Sequence, residues 1–214
     1  MKEIDVENWG RIGTYNWFKS FRNSTYCMNV KMDVTSIVNR VKKSNESFFI
    51  IMLYAVLKGL NSVEEMRMRI ENGIPVIYED INPSFTVMTE SGDYTNVRFT
   101  NVTNFDEFYR TAKDVIECAK VGKADNISYN LENAHNEYYM TCVPWVNFES
   151  MIHPVPDEIE SQVVPRICWG KYVENAGRYE LTLNINVSHI FVDGYPLSCV
   201  FKNIQECIDE FKIV

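Results

Sequence analysis

The feature that most constrains this fold is a strict two-residue alternation near the C-terminus, "RYELTLNINVS" at residues 178–188. Successive side chains of a β-strand point to opposite faces, so this pattern predicts a long strand with one apolar face. The apolar face carries Tyr179, Leu181, Leu183, Ile185 and Val187. The polar face carries Glu180, Thr182, Asn184, Asn186 and Ser188. The fold must therefore contain a sheet.

Several helices are expected along the chain, before and after further strands. Residues 35–63 predict two helices, the second buried throughout, and a third begins at Asn104, whose spacing to Glu107 is a capping pattern. A last helix begins near Tyr195, with Pro196 tolerated in its first turn. Strands are predicted in "PSFTVMTE", "YTNVRFTNV", "EYYMTCVPWVNF" and "VVPRICWGKYV". Strands and helices mix without strict alternation, which indicates an α/β or α+β sandwich.

Composition narrows the class of protein. The net charge of −8 argues against nucleic-acid binding, which needs clustered Lys and Arg to neutralise phosphates. The apolar stretch "SFFIIMLYAVLKGL" is too short for a bilayer, which takes about 20 residues, and no secretion signal is apparent. We therefore expect a cytoplasmic protein with no membrane partner, whose six cysteines are free thiols. Without a linker or repeat, residues 1–214 are expected to form one domain.

His189 lies directly after the alternating strand, in "NINVSHIFVDGYP". Strand parity places it on the apolar side, where a neutral imidazole on a rigid strand end would suit a general base. The alternative is a packed core histidine that bonds a backbone carbonyl. The pattern alone favours the core histidine, because an isolated histidine is a weak signal.

A family resemblance favours the general base over the packed core histidine. "SHIFVDG" is similar to the HHxxxDG signature of acyl-CoA-dependent acyltransferases, and the chain resembles the type A chloramphenicol acetyltransferases nearly end to end. The segments "IDVENWGR", "EEMRMRI", "INPSFTV", "VPWVNF", "GKY" and "VSHIFVDGY" recur in family order. The resemblance implies an α/β two-layer sandwich, a mixed β-sheet with helices packed on one face. It also implies a homotrimer with active sites between subunits, acetyl-CoA as co-substrate, a small-molecule substrate and no metal.

The resemblance also assigns the catalytic residues. It implies that His189 is the general base and that the Thr141 hydroxyl supports the oxyanion. Asp193 would pair with Arg11 as a structural ion pair, and Gly194 is expected to give the turn a backbone angle that side chains resist.

Binding residues follow from the same resemblance. Those expected to line the coenzyme A tunnel are Trp145, Lys171 and Tyr172. Those expected to line the pocket of the alcohol substrate are Trp17, Phe18, Tyr26, Thr86 and Tyr94. The chain departs from the family pattern at several positions, where other residue types are usual: Ser47, Met151, His153, Cys168 and Ser188.

The expected function is acetyl transfer from acetyl-CoA to the primary hydroxyl of chloramphenicol. The hydroxyl oxygen would attack the thioester directly, so no cysteine need act as nucleophile. One alternative keeps this chemistry with another small hydroxyl compound as substrate. The other is a non-catalytic relative that binds an aromatic ligand or only assembles.

Overall fold

The computed structural model describes residues 1–123 and 135–212. The strands of this part of the chain are β1 (Lys2–Glu3), β2 (Thr25–Asp33), β3 (Met68–Glu71), β4 (Ile74–Ile77), β5 (Asn82–Met88), β6 (Tyr94–Arg98), β7 (Glu137–Val143), β8 (Arg166–Gly170), β9 (Val173–Asn175) and β10 (Arg178–Ser188). Its α-helices are α1 (Ile12–Lys19), α2 (Thr35–Val41), α3 (Phe48–Asn61), α4 (Phe105–Lys120), α5 (Ile159–Gln162) and α6 (Gly194–Glu210).

The predicted alternating strand is β10, an interior strand of a seven-stranded mixed sheet. The strand order is β2-β10-β8-β7-β5-β6, and β9 pairs with the beginning of β10. The β5–β7 and β7–β8 pairs are parallel, and the other pairs are antiparallel. A second sheet, with the order β1-β4-β3, was not expected from the sequence.

Helices cover one face of the large sheet, which confirms the predicted two-layer α/β class. The apolar side chains of β10 from Leu181 to Val187 are fully buried and share one core with residues of α2, α3, α4 and α6. The two central helices, α3 and α6, cross at Gly59. A Cβ atom at that position would lie 2.9 Å from the backbone nitrogen of Ile204, so only glycine permits this approach.

The predicted helix starts also appear in the structure. Asn104 precedes α4, and its Oδ1 accepts a hydrogen bond of 3.1 Å from the backbone N–H of Glu107. The last helix begins at Gly194, one residue before the expected start, with Pro196 in its first turn. No helix in the described ranges is both long and apolar enough to cross a membrane.

The polar face of β10 is buried as well. Thr182, Asn184, Asn186 and Ser188 are each less than 5% exposed. The amide of Asn184 donates hydrogen bonds of 2.8 Å to the Asn29 side chain and to the Met151 carbonyl. The segment around Met151 therefore covers this face and satisfies the amide of Asn184.

Candidate functional site

His189 begins the turn that connects β10 to α6. Its backbone N–H donates a hydrogen bond of 2.8 Å to the Ser24 carbonyl, which continues the sheet pairing one residue past the strand. The imidazole stacks on the Phe18 ring at 4.0 Å and 10°, and the Tyr26 ring lies 4.8 Å away. The side chain remains 34% exposed. Two aromatic rings thus hold the imidazole while part of it stays open to solvent.

Asp193 links this imidazole to a cation. Its Oδ2 accepts a hydrogen bond of 2.5 Å from Arg11 Nη1, and its Oδ1 lies 3.1 Å from His189 Nδ1. The second pair has the distance of an ion pair but not the alignment of a hydrogen bond. The Arg11 guanidinium keeps the pKa of Asp193 below its usual value, against an opposing effect of burial. Asp193 is therefore a carboxylate beside the imidazole.

The prediction that Gly194 gives the turn a backbone angle that side chains resist was wrong. Its backbone lies outside the left-handed region, and it forms the first residue of α6. The turn is completed before this position, by residues 189–193. An added Cβ would meet only Met28 Cε, at 4.0 Å, so neither backbone angle nor space demands glycine here.

Ser188 occupies the opposite side of the strand from the imidazole. Its hydroxyl lies 2.7 Å from the Ser24 hydroxyl, which in turn donates to Gln162 at 3.2 Å. The serine thus belongs to a buried polar cluster, as strand parity predicts.

Thr141 forms a second group of polar side chains, on β7. Its Oγ1 lies 3.0 Å from Thr86 Oγ1 on β5, and Cys168 on β8 is its register partner on the other side. Burial raises the pKa of the Cys168 thiol to about 12, so the thiol is protonated at neutral pH. A protonated thiol is a weak nucleophile.

The two groups are far apart within one chain. Asn184 pairs with Cys168, and Cys168 pairs with Thr141, so Thr141 lies two strands from β10. His189 lies five residues further along β10 than Asn184. At about 4.8 Å per strand and 3.3 Å per residue, the separation is about 20 Å. Within one chain, the two side chains therefore do not meet at the same reacting group.

The expected pocket residues divide between these groups. Phe18 and Tyr26 contact His189, and the Trp17 ring packs at a tilt against Phe18, 4.9 Å between ring centres, while remaining 62% exposed. The Tyr26 hydroxyl donates to the Val192 carbonyl at 3.2 Å, and burial raises its pKa to about 12, so a neutral phenol braces the turn.

The other two pocket residues belong to the Thr141 group. Thr86 contacts Thr141 directly. Tyr94 lies at the start of β6, paired with Met88, and is 63% exposed. These two positions are therefore separated from His189 by the width of the sheet.

The expected coenzyme A residues follow the parallel strands β7 and β8. Trp145 is 65% exposed, and the Lys171 backbone N–H donates a 2.9 Å hydrogen bond to the Val146 carbonyl. The Tyr172 ring packs 4.9 Å from Phe48 and 5.8 Å from Tyr179. These residues share one edge of the sheet.

A cation that sequence reasoning missed lies beside this edge. Lys42 Nζ donates to the Tyr179 hydroxyl at 2.5 Å and lies 4.2 Å from the centre of that ring. Ser47, one of the positions that depart from the family pattern, caps α3 by accepting from the Ile50 N–H. The basic run "RVKK" at residues 40–43 was the available signal, but its position beside Tyr179 depends on the fold.

His153 does not contact the His189 ring. Its Nε2 lies 2.9 Å from Asn184 Oδ1, on the polar face of β10. Burial lowers the pKa of His153, and the bond to Asn184 opposes that shift only in part. The neutral imidazole helps to fasten the segment that covers this face.

The chain matches the family described as "Chloramphenicol acetyltransferase" over residues 1–205. A chloramphenicol acetyltransferase of Proteus mirabilis is 26% identical over 209 residues, which cover 97% of this chain and 94% of the relative. One from Campylobacter coli is 25% identical over 210 residues, covering 97% and 98%.

Solved structures agree with this match. A chloramphenicol acetyltransferase superposes with a TM-score of 0.88 at 27% identity, over 97% of this chain and 100% of the other. A probable dihydrolipoamide acetyltransferase from Listeria monocytogenes, with a TM-score of 0.66 at 14% identity over 98% and 94%, shares the fold.

Proposed function

Because the chain belongs to the chloramphenicol acetyltransferase family and is therefore an acyltransferase, we propose that it transfers an acetyl group from acetyl-CoA to the primary hydroxyl of chloramphenicol. The observation that carries the proposal is the His189 imidazole, stacked on Phe18 and flanked by the Asp193 carboxylate. The other residues complete the reaction around it.

His189 acts as the general base in this proposal. The Asp193 carboxylate faces Nδ1, so it favours the tautomer that carries its proton there and leaves the Nε2 lone pair free. Nε2 removes the proton from the substrate hydroxyl as the oxygen attacks the thioester carbonyl. The proton then passes from the imidazolium to the departing coenzyme A sulfur, which restores the base.

The Thr141 hydroxyl donates a hydrogen bond to the oxyanion that forms on the former carbonyl oxygen. A donor of this kind is worth roughly 2.7–4 kcal/mol of transition-state stabilisation. Direct transfer is supported by Cys168, the thiol in register with Thr141, because its raised pKa keeps it protonated. We propose that Trp145, Lys171 and Tyr172 bind acetyl-CoA along the same sheet edge.

We also propose a single domain that assembles as a homotrimer, with each active site between two subunits. The separation of about 20 Å between His189 and Thr141 supports this, because base and oxyanion donor must meet the same carbonyl. The exposed aromatic residues of both groups, such as Trp17 and Tyr94, would gain cover at such an interface. A cytoplasmic location is supported by six free cysteines.

The test is thiol release from acetyl-CoA, followed spectrophotometrically with chloramphenicol and with a panel of other small alcohols. Release that depends on chloramphenicol and disappears in His189→Ala supports the proposal. Turnover of another alcohol but not of chloramphenicol would support acetyl transfer by His189 with a different alcohol as the substrate. Absence of release with every alcohol would support the non-catalytic alternative.

A further inference from the structure

We infer that Thr86 is a positioning residue that orients the hydroxyl of Thr141, rather than a wall of the alcohol pocket. The inference rests on the proposed function, because it assumes that Thr141 donates to the oxyanion. It assigns to Thr86 a role in the rate of the chemical step instead of a role in binding the alcohol.

The sheet register places the two hydroxyls side by side. β5 and β7 run parallel with Phe85 opposite Met140, so the next residues, Thr86 and Thr141, share the face that points away from the helices. Their Oγ1 atoms lie 3.0 Å apart, the distance of a hydrogen bond. Both residues are β-branched, so few side-chain rotamers are available to either one.

Hydrogen-bond direction follows from what each hydroxyl can offer. A threonine hydroxyl has one proton to donate and two lone pairs that accept. If the Thr141 O–H donates its hydrogen bond to the oxyanion, the bond between the two threonines must run from the Thr86 O–H to Thr141 Oγ1. Thr86 thereby occupies a lone pair of Thr141 and turns the remaining O–H of Thr141 outward.

Cys168, the neighbour of Thr141 on the other side, does not orient the Thr141 hydroxyl. Cys168 is the register partner of Thr141 on β8, but its sulfur makes a weak contact of 3.9 Å with its neighbour, the Trp169 carbonyl. Within residues 1–123 and 135–212, Thr86 is the one side chain that hydrogen-bonds the Thr141 hydroxyl. The orientation of the oxyanion donor thus depends on a residue one strand away.

The experiment is a double-mutant cycle with Thr86→Val and Thr141→Val, which remove each hydroxyl but keep the branched shape. Thr141→Val should lower kcat by about 10²-fold or more, as the loss of an oxyanion donor does. Thr86→Val should lower kcat roughly two- to tenfold, the worth of one neutral hydrogen bond, with KM for the alcohol nearly unchanged. The double variant should be no slower than Thr141→Val, because nothing remains to be oriented. Thr86→Ser should restore the rate.

Three results would overturn the inference. Additive losses with a raised KM for the alcohol would make Thr86 a binding residue. A loss in Thr86→Val as large as that in Thr141→Val would make Thr86 the oxyanion donor itself. Additive losses in the free energy of unfolding would show that the two hydroxyls do not interact, whatever the activity. A wild type that is inactive with every alcohol would instead refute the proposed function, so the two failures are distinguishable.

Discussion

The imidazole of His189 stacks on Phe18 and places Nδ1 beside the Asp193 carboxylate, and neither contact uses its Nε2. His189→Ala should therefore lower kcat by about 10²–10⁴-fold, the usual contribution of a general base, while circular dichroism and size remain those of the wild type. His135→Gln is the matched control, because His135 pairs with Glu71 at 2.9 Å and should leave kcat unchanged. If His189→Ala retains more than about a tenth of the activity, another group is the base.

The Arg11–Asp193 pair gives a prediction about pH. The folded-state pKa of Asp193 is lowered by Arg11, so the pair stabilises the protein above the ordinary carboxyl pKa and loses that effect as pH falls through the lowered value. Arg11→Gln should cost roughly 1 kcal/mol in the free energy of unfolding, since the two side chains are 23% and 37% exposed and solvent screens the pair.

Urea denaturation of wild type and Arg11→Gln between about pH 7 and pH 3 checks this prediction, because the difference between them should shrink only at the acidic end. Arg11→Gln combined with Asp193→Asn should cost less than the sum of the single changes. A difference that is independent of pH would mean that Arg11 stabilises the fold by packing, for example on the Trp9 ring 5.8 Å away.

At the scale of the elements, the crossing of α3 and α6 depends on Gly59. Alanine is the better helix former, but a Cβ there would press on the backbone of Ile204, so Gly59→Ala should destabilise the protein by about 1–3 kcal/mol. Gly13→Ala in α1 is the control, because no atom lies within 4 Å of the added methyl and stability should hold or rise. Thermal denaturation of both variants tests this prediction. Equal shifts in melting temperature would show that α3 and α6 can move apart to accept the methyl group at no cost in stability.

The N-cap of α4 gives a second prediction at this scale. Asn104→Ala removes the acceptor of the Glu107 N–H and should cost about 1 kcal/mol, whereas Asn104→Asp should preserve stability because aspartate caps equally well. Chemical denaturation measures both. Equal losses in the two variants would assign the role of Asn104 to something other than capping.

Elements with a long run of periodic residues could be predicted from the sequence, and elements of only a few residues could not. β10 has eleven residues of alternation, and α4 has both a cap and an apolar stripe. By contrast, β1, β3 and β4 are only two to four residues long, too short for any period to emerge. Their pairing joins residues 2 and 77, a contact that local pattern does not encode.

At the scale of the whole molecule, the proposed interface site predicts complementation. His189→Ala and Thr141→Val chains should each be nearly inactive, but an equal mixture assembled together should regain about a quarter of the wild-type sites, because some interfaces pair an intact His189 with an intact Thr141. Co-expression with two different tags, purification of the hybrids and thiol-release assay measure this. If hybrids stay as inactive as either parent, each chain forms its own site.

The site shows the same limit of prediction as the fold. Motif resemblance selected Arg11, His189 and Asp193, and the structure brings these three together around one turn. It also selected Thr86 and Tyr94 for the pocket, without revealing that they lie across the sheet from His189. That division is set by strand order, which depends on pairings between distant parts of the chain.

The distance between His189 and Thr141 has a consequence for damage. In a ring built as proposed, each chain lends its base to one active site and its oxyanion donor to the next. Unfolding of one whole chain within the ring would remove both groups and abolish two sites, so activity would fall faster than the amount of native protein. A cell that also produced an allele whose chains assemble but lack both groups would lose more activity than gene dosage alone accounts for.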